Sequence, residues 1–82
     1  MIDSNCLQKA SLIAIENDKQ ISLDYYETSQ RKECKIVKSG EDKMLYKSND
    51  EFTSPLVSMY KVGGDVILET QNTIYICSGK MF

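Results

Sequence analysis

The side chains able to do chemistry are few. There are three cysteines, Cys6, Cys34 and Cys77, two adjacent acid pairs, Glu41-Asp42 and Asp50-Glu51, and no histidine anywhere in the 82 residues. A cysteine nucleophile needs a base to hold it as thiolate, and with histidine absent only a lysine could serve, for which no spacing argues. Adjacent acids in polar loops are solvated, with nothing to shift their pKa towards acid-base work. A zinc site would want histidines or a CxxC pair, and the cysteines stand far apart. Gly63-Gly64 is followed by no lysine-hydroxyl pair of the phosphate-cradling kind, so it reads as a turn. The expectation is a protein that is not an enzyme, with no catalytic residue, no metal and no cofactor.

The basic residues are distributed less evenly. Residues 31–47 carry six basic and three acidic side chains, which leaves four basic and nine acidic ones for the rest of the chain. This stretch reads as a hairpin, 33–39 with 43–48, around Gly40-Glu41-Asp42. A three-residue loop sets Val37 opposite Leu45 and Lys35 opposite Lys47, with Lys43 beside them, and leaves Cys34, Ile36, Met44 and Tyr46 on the other side. A four-residue loop would instead face Lys38 with Lys43. The first register separates charge from bulk and is the expected one. Lysines facing one another repel, which invites an anionic partner, with Tyr46 placed to stack on a base. Lysine is also the usual guard of an edge strand against unwanted pairing.

These residues must be positioned by a fold organised around residues 54–77, which spell three strands and both joining turns. Gly63-Gly64 is free to take positive φ, as a tight hairpin demands, and Gln71-Asn72 is a weaker second turn. Two-residue turns then set Met59 opposite Leu68 and Leu68 opposite Tyr75. One face carries Val57, Met59, Val66, Leu68, Tyr75 and Cys77; the other carries Leu56, Tyr60, Val62, Ile67, Ile74 and Ile76. Both faces are apolar, so each must be covered: by the first half of the chain, by closure into a barrel, or by another protein. Tyr60, Ile67, Ile74 and Ile76 are the expected partner-binding residues, the partner being another protein or a second copy.

Upstream, residues 1–10 read as a short helix or as coil. Residues 11–26 read as a hairpin, 12–16 with 20–26, turning at Asn17-Asp18-Lys19, its second arm having a wet side. Residues 27–32 read as a polar loop, and Phe52 as a core residue reached from the loop before Pro55. The apolar end, Met81-Phe82, either packs down or is sticky. Six short strands with turn signals every eight to twelve residues predict an all-β domain, with at most one short N-terminal helix. A small antiparallel bent sheet or barrel, SH3-like or OB-like, over residues 1–82 as one domain is the expected architecture.

A chain of this length buries only about 60 to 65% of its unfolded surface, too little for a large internal cleft. A net charge of −2 and a pI near 5.0 fit a dedicated nucleic-acid binder poorly. No apolar run approaches the roughly 18 to 20 residues of a membrane span, and residues 1–10 lack a signal-peptide pattern. With an odd, sparse set of cysteines, the chain reads as cytoplasmic. The functional expectation is a small protein-interaction module acting by surface occlusion; the alternative is a nucleic-acid-binding barrel using Lys35, Lys43, Lys47 and Tyr46. Compact chains of this kind, rich in Lys, Ile, Asn and Tyr, resemble in style phage-encoded inhibitors of host defence such as anti-CRISPR proteins. The resemblance implies an inhibitor of a host protein, and it carries over no motif and no individual residue.

Overall fold

The three strands of the last third form as their turns dictate, and the chain before them supplies what covers each face. A computed structural model describes residues 2–82. In chain order the elements are α1 (Ser4–Asn17), β1 (Gln20–Ser22), α2 (Tyr26–Gln30), β2 (Lys35–Ser39), β3 (Asp42–Ser48), β4 (Glu51–Phe52), β5 (Leu56–Val62), β6 (Asp65–Thr70), β7 (Thr73–Ser78) and a closing 3-10 turn at Gly79–Met81. The fold is small and β-rich, with a helix at its start. Its strands make two open sheets, one of four in the order β1-β7-β6-β5 and one of three in the order β2-β3-β4, rather than a closed barrel.

Met59 pairs with Leu68 and Leu68 with Tyr75 in the main sheet, as the two-residue turns require. Gly63 has φ +63° while Gly64 stays out of the positive region, the pattern of a II′ turn with glycine first. At Gln71-Asn72 the backbone needs no positive φ, because Thr70 closes the turn with its side chain. Its Oγ1 accepts from the Thr73 N–H at 3.1 Å and donates to the Thr73 carbonyl at 3.0 Å. One residue departs from the expected faces. The β5–β6 register shifts between Leu56 and Ser58, a bulge at Val57 that turns Leu56 to the opposite side.

Residues 11–17 are helix, not the first arm of a hairpin. Cys6, Ala10 and Ile13 are buried, with Ala14 half-buried beside them, a stripe at helical spacing that lies on the sheet. The run Leu12 to Ile15 alone is ambiguous between strand and helix, and the spacing back to Cys6 decides it. Asp3 caps the first turn, its Oδ1 accepting from the N–H groups of Asn5 at 2.8 Å and Cys6 at 3.4 Å. The expected turn at Asn17-Asp18-Lys19 exists as the helix terminus. Asp18 takes the left-handed conformation, φ 54°, and the Lys19 N–H closes on the Ala14 carbonyl at 2.9 Å.

Only Gln20–Ser22 of the expected second arm is strand, and it pairs parallel to β7, with Ile21 beside Ile74. The polar run after it is the short helix α2 rather than a loop, because Tyr26, Thr28 and Ser29 face inward. Ser29 ties it to β7: its Oγ accepts from the Ser78 N–H at 2.7 Å and donates to the Tyr26 carbonyl at 2.5 Å.

The result is three layers. α1 covers one face of the main sheet, burying Ile67, Ile74 and Ile76 with Tyr26. The β2–β3 hairpin covers the other, where Cys34 and Leu45 pack with Val66, Leu68 and Cys77. Of the three ways to cover two apolar faces, the first half of the chain supplies the cover on both.

Candidate interaction surface

Three of the four residues expected to meet a partner are core residues. Ile67, Ile74 and Ile76 have no exposed surface at all, since the face they share is the seat of α1. Tyr60 is half-buried at the margin of that seat, its ring 5.9 Å from Lys9 Nζ and its hydroxyl 3.5 Å from Glu69 Oε1. The expectation read residues 12–16 as a strand, and so did not extend the short N-terminal helix into the Ser4–Asn17 helix that covers this face.

The basic hairpin takes the register that was set aside. Lys38 pairs with Lys43, Ile36 with Leu45 and Lys35 with Tyr46, leaving Gly40-Glu41 as a two-residue turn with Gly40 at φ +63°. Glycine at the first central position selects the II′ turn, and that shifts the pairing by one residue. Side chains alternate, so Lys43 shares a face with Leu45 and Ile36, while Lys35 and Tyr46 share the other; β3 bulges at Lys47, and Lys35, Tyr46 and Lys47 line one concavity from which Lys43 is absent. The structure therefore does not bring Lys35, Lys43 and Lys47 together. Lys47 is engaged with Glu51 at 3.3 Å, and the Tyr46 ring lies near parallel to Phe52, centroids 6.4 Å apart, with its hydroxyl donating to Asn49 Oδ1. Phe52, expected in the core, is instead 54% exposed, because β4 is an edge strand whose side chain stacks on its neighbour.

Exposed apolar surface collects elsewhere. A groove of about 540 Å³ runs between the tip of the β2–β3 hairpin and β5, with Val57, Met59 and Phe82 among its apolar lining and Lys38 and Lys43 at its margin. Val57 is 60% exposed, Met59 48% and Phe82 56%. The hairpin tip stops short of β5, so the second face of the sheet is covered over Val66, Leu68 and Cys77 and bare over Met59. Met81 packs against the core while Phe82 stays exposed, with Lys61 Nζ 5.7 Å from its ring. The alternation in β5 put Val57 and Met59 on this face from the sequence; what could not be read was that the hairpin would leave them open.

The buried polar groups are knitted into the fold by hydrogen bonds. Asp65, almost fully buried, accepts from the Tyr26 hydroxyl at 2.9 Å and the Asp3 N–H at 2.5 Å. Burial, with the hydrogen bond to Asp65, pushes the Tyr26 phenol up to about 12. Glu69 accepts from Lys19 Nζ at 2.6 Å and Asn17 Nδ2 at 3.3 Å. All three thiols are buried and free. Burial first, then the charges of Asp65 and Asp3, raises Cys6 to about 11; burial raises Cys77 to about 12, and raises Cys34 against the pull of Lys47. Thiols held protonated inside the core are poor nucleophiles. Among the described residues no three His, Cys, Asp or Glu side chains are grouped to hold a metal ion, and no helix is long and apolar enough to cross a membrane. Comparison of the chain with models of protein families, with curated proteins and with solved structures finds no match.

Proposed function

We propose that the protein is a non-enzymatic interaction module that acts by occluding a surface of another protein, in the manner of small phage-type inhibitors. The observation that carries this reading is the open groove beside β5, where Val57, Met59 and Phe82 lie bare next to an unpaired strand edge. Exposed apolar side chains scattered singly need no explanation, but three on one concavity mark a contact surface. Chemistry has no comparable support, since the thiols are raised and interior and the carboxylates Asp65 and Glu69 are tied to structural donors.

Affinity capture from cells that produce the protein tests it, comparing the unaltered chain with Val57→Lys and Phe82→Ser. A specific protein retained by the unaltered chain and by Leu12→Lys on the outer side of α1, but lost with both groove variants, is the expected result. A partner held equally by all four would put the contact elsewhere. The nucleic-acid reading has less support, because Lys43 lies apart from Lys35, Tyr46 and Lys47. It would return if a labelled oligonucleotide shifted at low salt and was released when these lysines were neutralised.

A further inference from the structure

Strand β5 is a free edge of the four-stranded sheet. Val62 and Asp65 flank the two-residue turn to β6, and in such a hairpin the flanking residues form a hydrogen-bonded pair. Alternation then points the main-chain groups of Tyr60 and Val62 towards β6. It leaves the N–H and C=O of Met59 and Lys61 pointing away from the sheet, with no strand beside them among the described residues. Edges of this kind are normally blunted. Here Pro55 and the bulge at Val57 blunt the beginning of the strand and Lys61 is the one charged guard further along, while residues 58–62 run regularly against β6. The side chains that border the unpaired groups are the exposed Val57, Met59 and Lys61.

We propose that β5 pairs with β5 of a second copy, antiparallel about a two-fold axis, and joins two four-stranded sheets into one of eight. This rests on the interaction reading and names a second copy as the resting occupant of the same edge, which another protein would have to displace. The main-chain groups fix the class of partner as an extended strand, and the side chains of β5 fit their own copy. In an antiparallel pair outward groups must meet outward groups. An axis through Met59 sets Met59 opposite itself and Lys61 opposite the partner's Val57; an axis through Tyr60 sets Met59 opposite the partner's Lys61. Lysine is the only charge on the strand, and neither arrangement faces it with another lysine. Each lays its aliphatic stem on an apolar neighbour. Either arrangement also brings Val57 and Met59 of both copies into one stripe beside the groove that holds Phe82, where they bury part of their surface against one another.

Sedimentation equilibrium from micromolar to millimolar protein, with amide exchange at both ends of that range, tests the proposal. The expected result is a mass that rises to two chains, with the Met59 and Lys61 amides slowing as it does. Met59→Pro removes an outward N–H that β6 does not use, so circular dichroism should be unchanged while the dissociation constant rises about tenfold or more. Leu12→Lys should leave that constant as it was. Should Met59→Pro fail to fold, Met59→Lys, which places a second positive charge beside the Lys61 pairing, is the replacement and should weaken the dimer likewise. A single-chain mass at millimolar concentration, or a dimer in which these two amides still exchange freely, overturns the proposal, as does a dimer indifferent to both Met59 variants. A monomer that still loses a captured partner through Val57→Lys would remove the dimer alone; a β5 dimer that captures nothing would remove the occlusion reading alone.

Discussion

Asp65 and Glu69 are carboxylates on one strand, both nearly out of water, and each is tolerated because other elements bring donors to it. For Glu69 the main donor is Lys19, whose side chain is 14% exposed against 6% for the acid, so solvent screens the pair little. Lys19 also donates to the Thr70 carbonyl at 2.8 Å, which holds the end of α1 against the turn after β6. Lys19→Met should cost about 3 kcal/mol by leaving a buried charge short of its cation, and Glu69→Leu added to it should recover much of that loss in urea titrations. A double variant no more stable than the single one would mean the pair itself stabilises the fold. The raised groups set the pH behaviour. Cys6, Cys77 and Tyr26 hold their protons in the folded chain to about 11, 12 and 12, from ordinary values of 9, 9 and 10. The folded state therefore binds more protons than the unfolded one above pH 9, and stability must fall as pH rises through 9 to 12. Melting temperature should be level near neutrality and drop across that window. Tyr26→Phe should flatten the part above pH 10.

At the level of elements, one close approach fixes how α1 enters the fold. A Cβ at Gly63 would lie 2.3 Å from Asp3 Oδ2, and the same glycine needs φ +63°. Asp3 cannot readily swing away, since its Oδ1 caps the first turn of the helix and its N–H is held by Asp65. Gly40 has the same φ and open space around it. Gly40→Ala should thus cost only the left-handed penalty, about 1 to 2 kcal/mol, and Gly63→Ala clearly more. Equal losses in denaturant midpoints would show that the helix start yields freely. The hairpin turn and the helix cap are in this way one joint, and it forms only when residues 3 and 63, far apart in sequence, meet.

Across the whole molecule, a main sheet with two apolar faces is closed by a helix on one side and a hairpin on the other. The radius of gyration of 11.7 Å agrees with about 12 Å for a compact chain of this length. A further charge placed in such a core without partners like those of Asp65 and Glu69 would be costly. Ile74→Lys should abolish cooperative melting rather than expose a disabled binding surface, because a buried ammonium costs several kcal/mol against a total stability of about 5 to 15 kcal/mol. A folded, cooperative Ile74→Lys variant would show that α1 can lift from its seat. Leu45→Ala, at the seam between sheet and hairpin, should cost about 2 to 5 kcal/mol and leave the α1 side intact.

What the chain alone determined was local: the Gly63-Gly64 hairpin, the pairing of Leu68 with Met59 and Tyr75, the two apolar faces, and the need for a cover on each. Those follow from backbone freedom at glycine and from side-chain alternation, both of which act over a few residues. The nature of the covers was decided only by packing. Leu12 to Ile15 suits a strand as well as a helix until Cys6, Ala10 and Ile13 find a sheet to lie on, and a one-residue change of register left Lys43 apart from Lys35 and Lys47. The exposed face of β5 likewise depends on where the hairpin tip stops, a length no residue of β5 encodes. Burial of Ile67, Ile74 and Ile76 and exposure of Val57 and Met59 are outcomes of which distant elements meet, and short-range patterns carry no record of that.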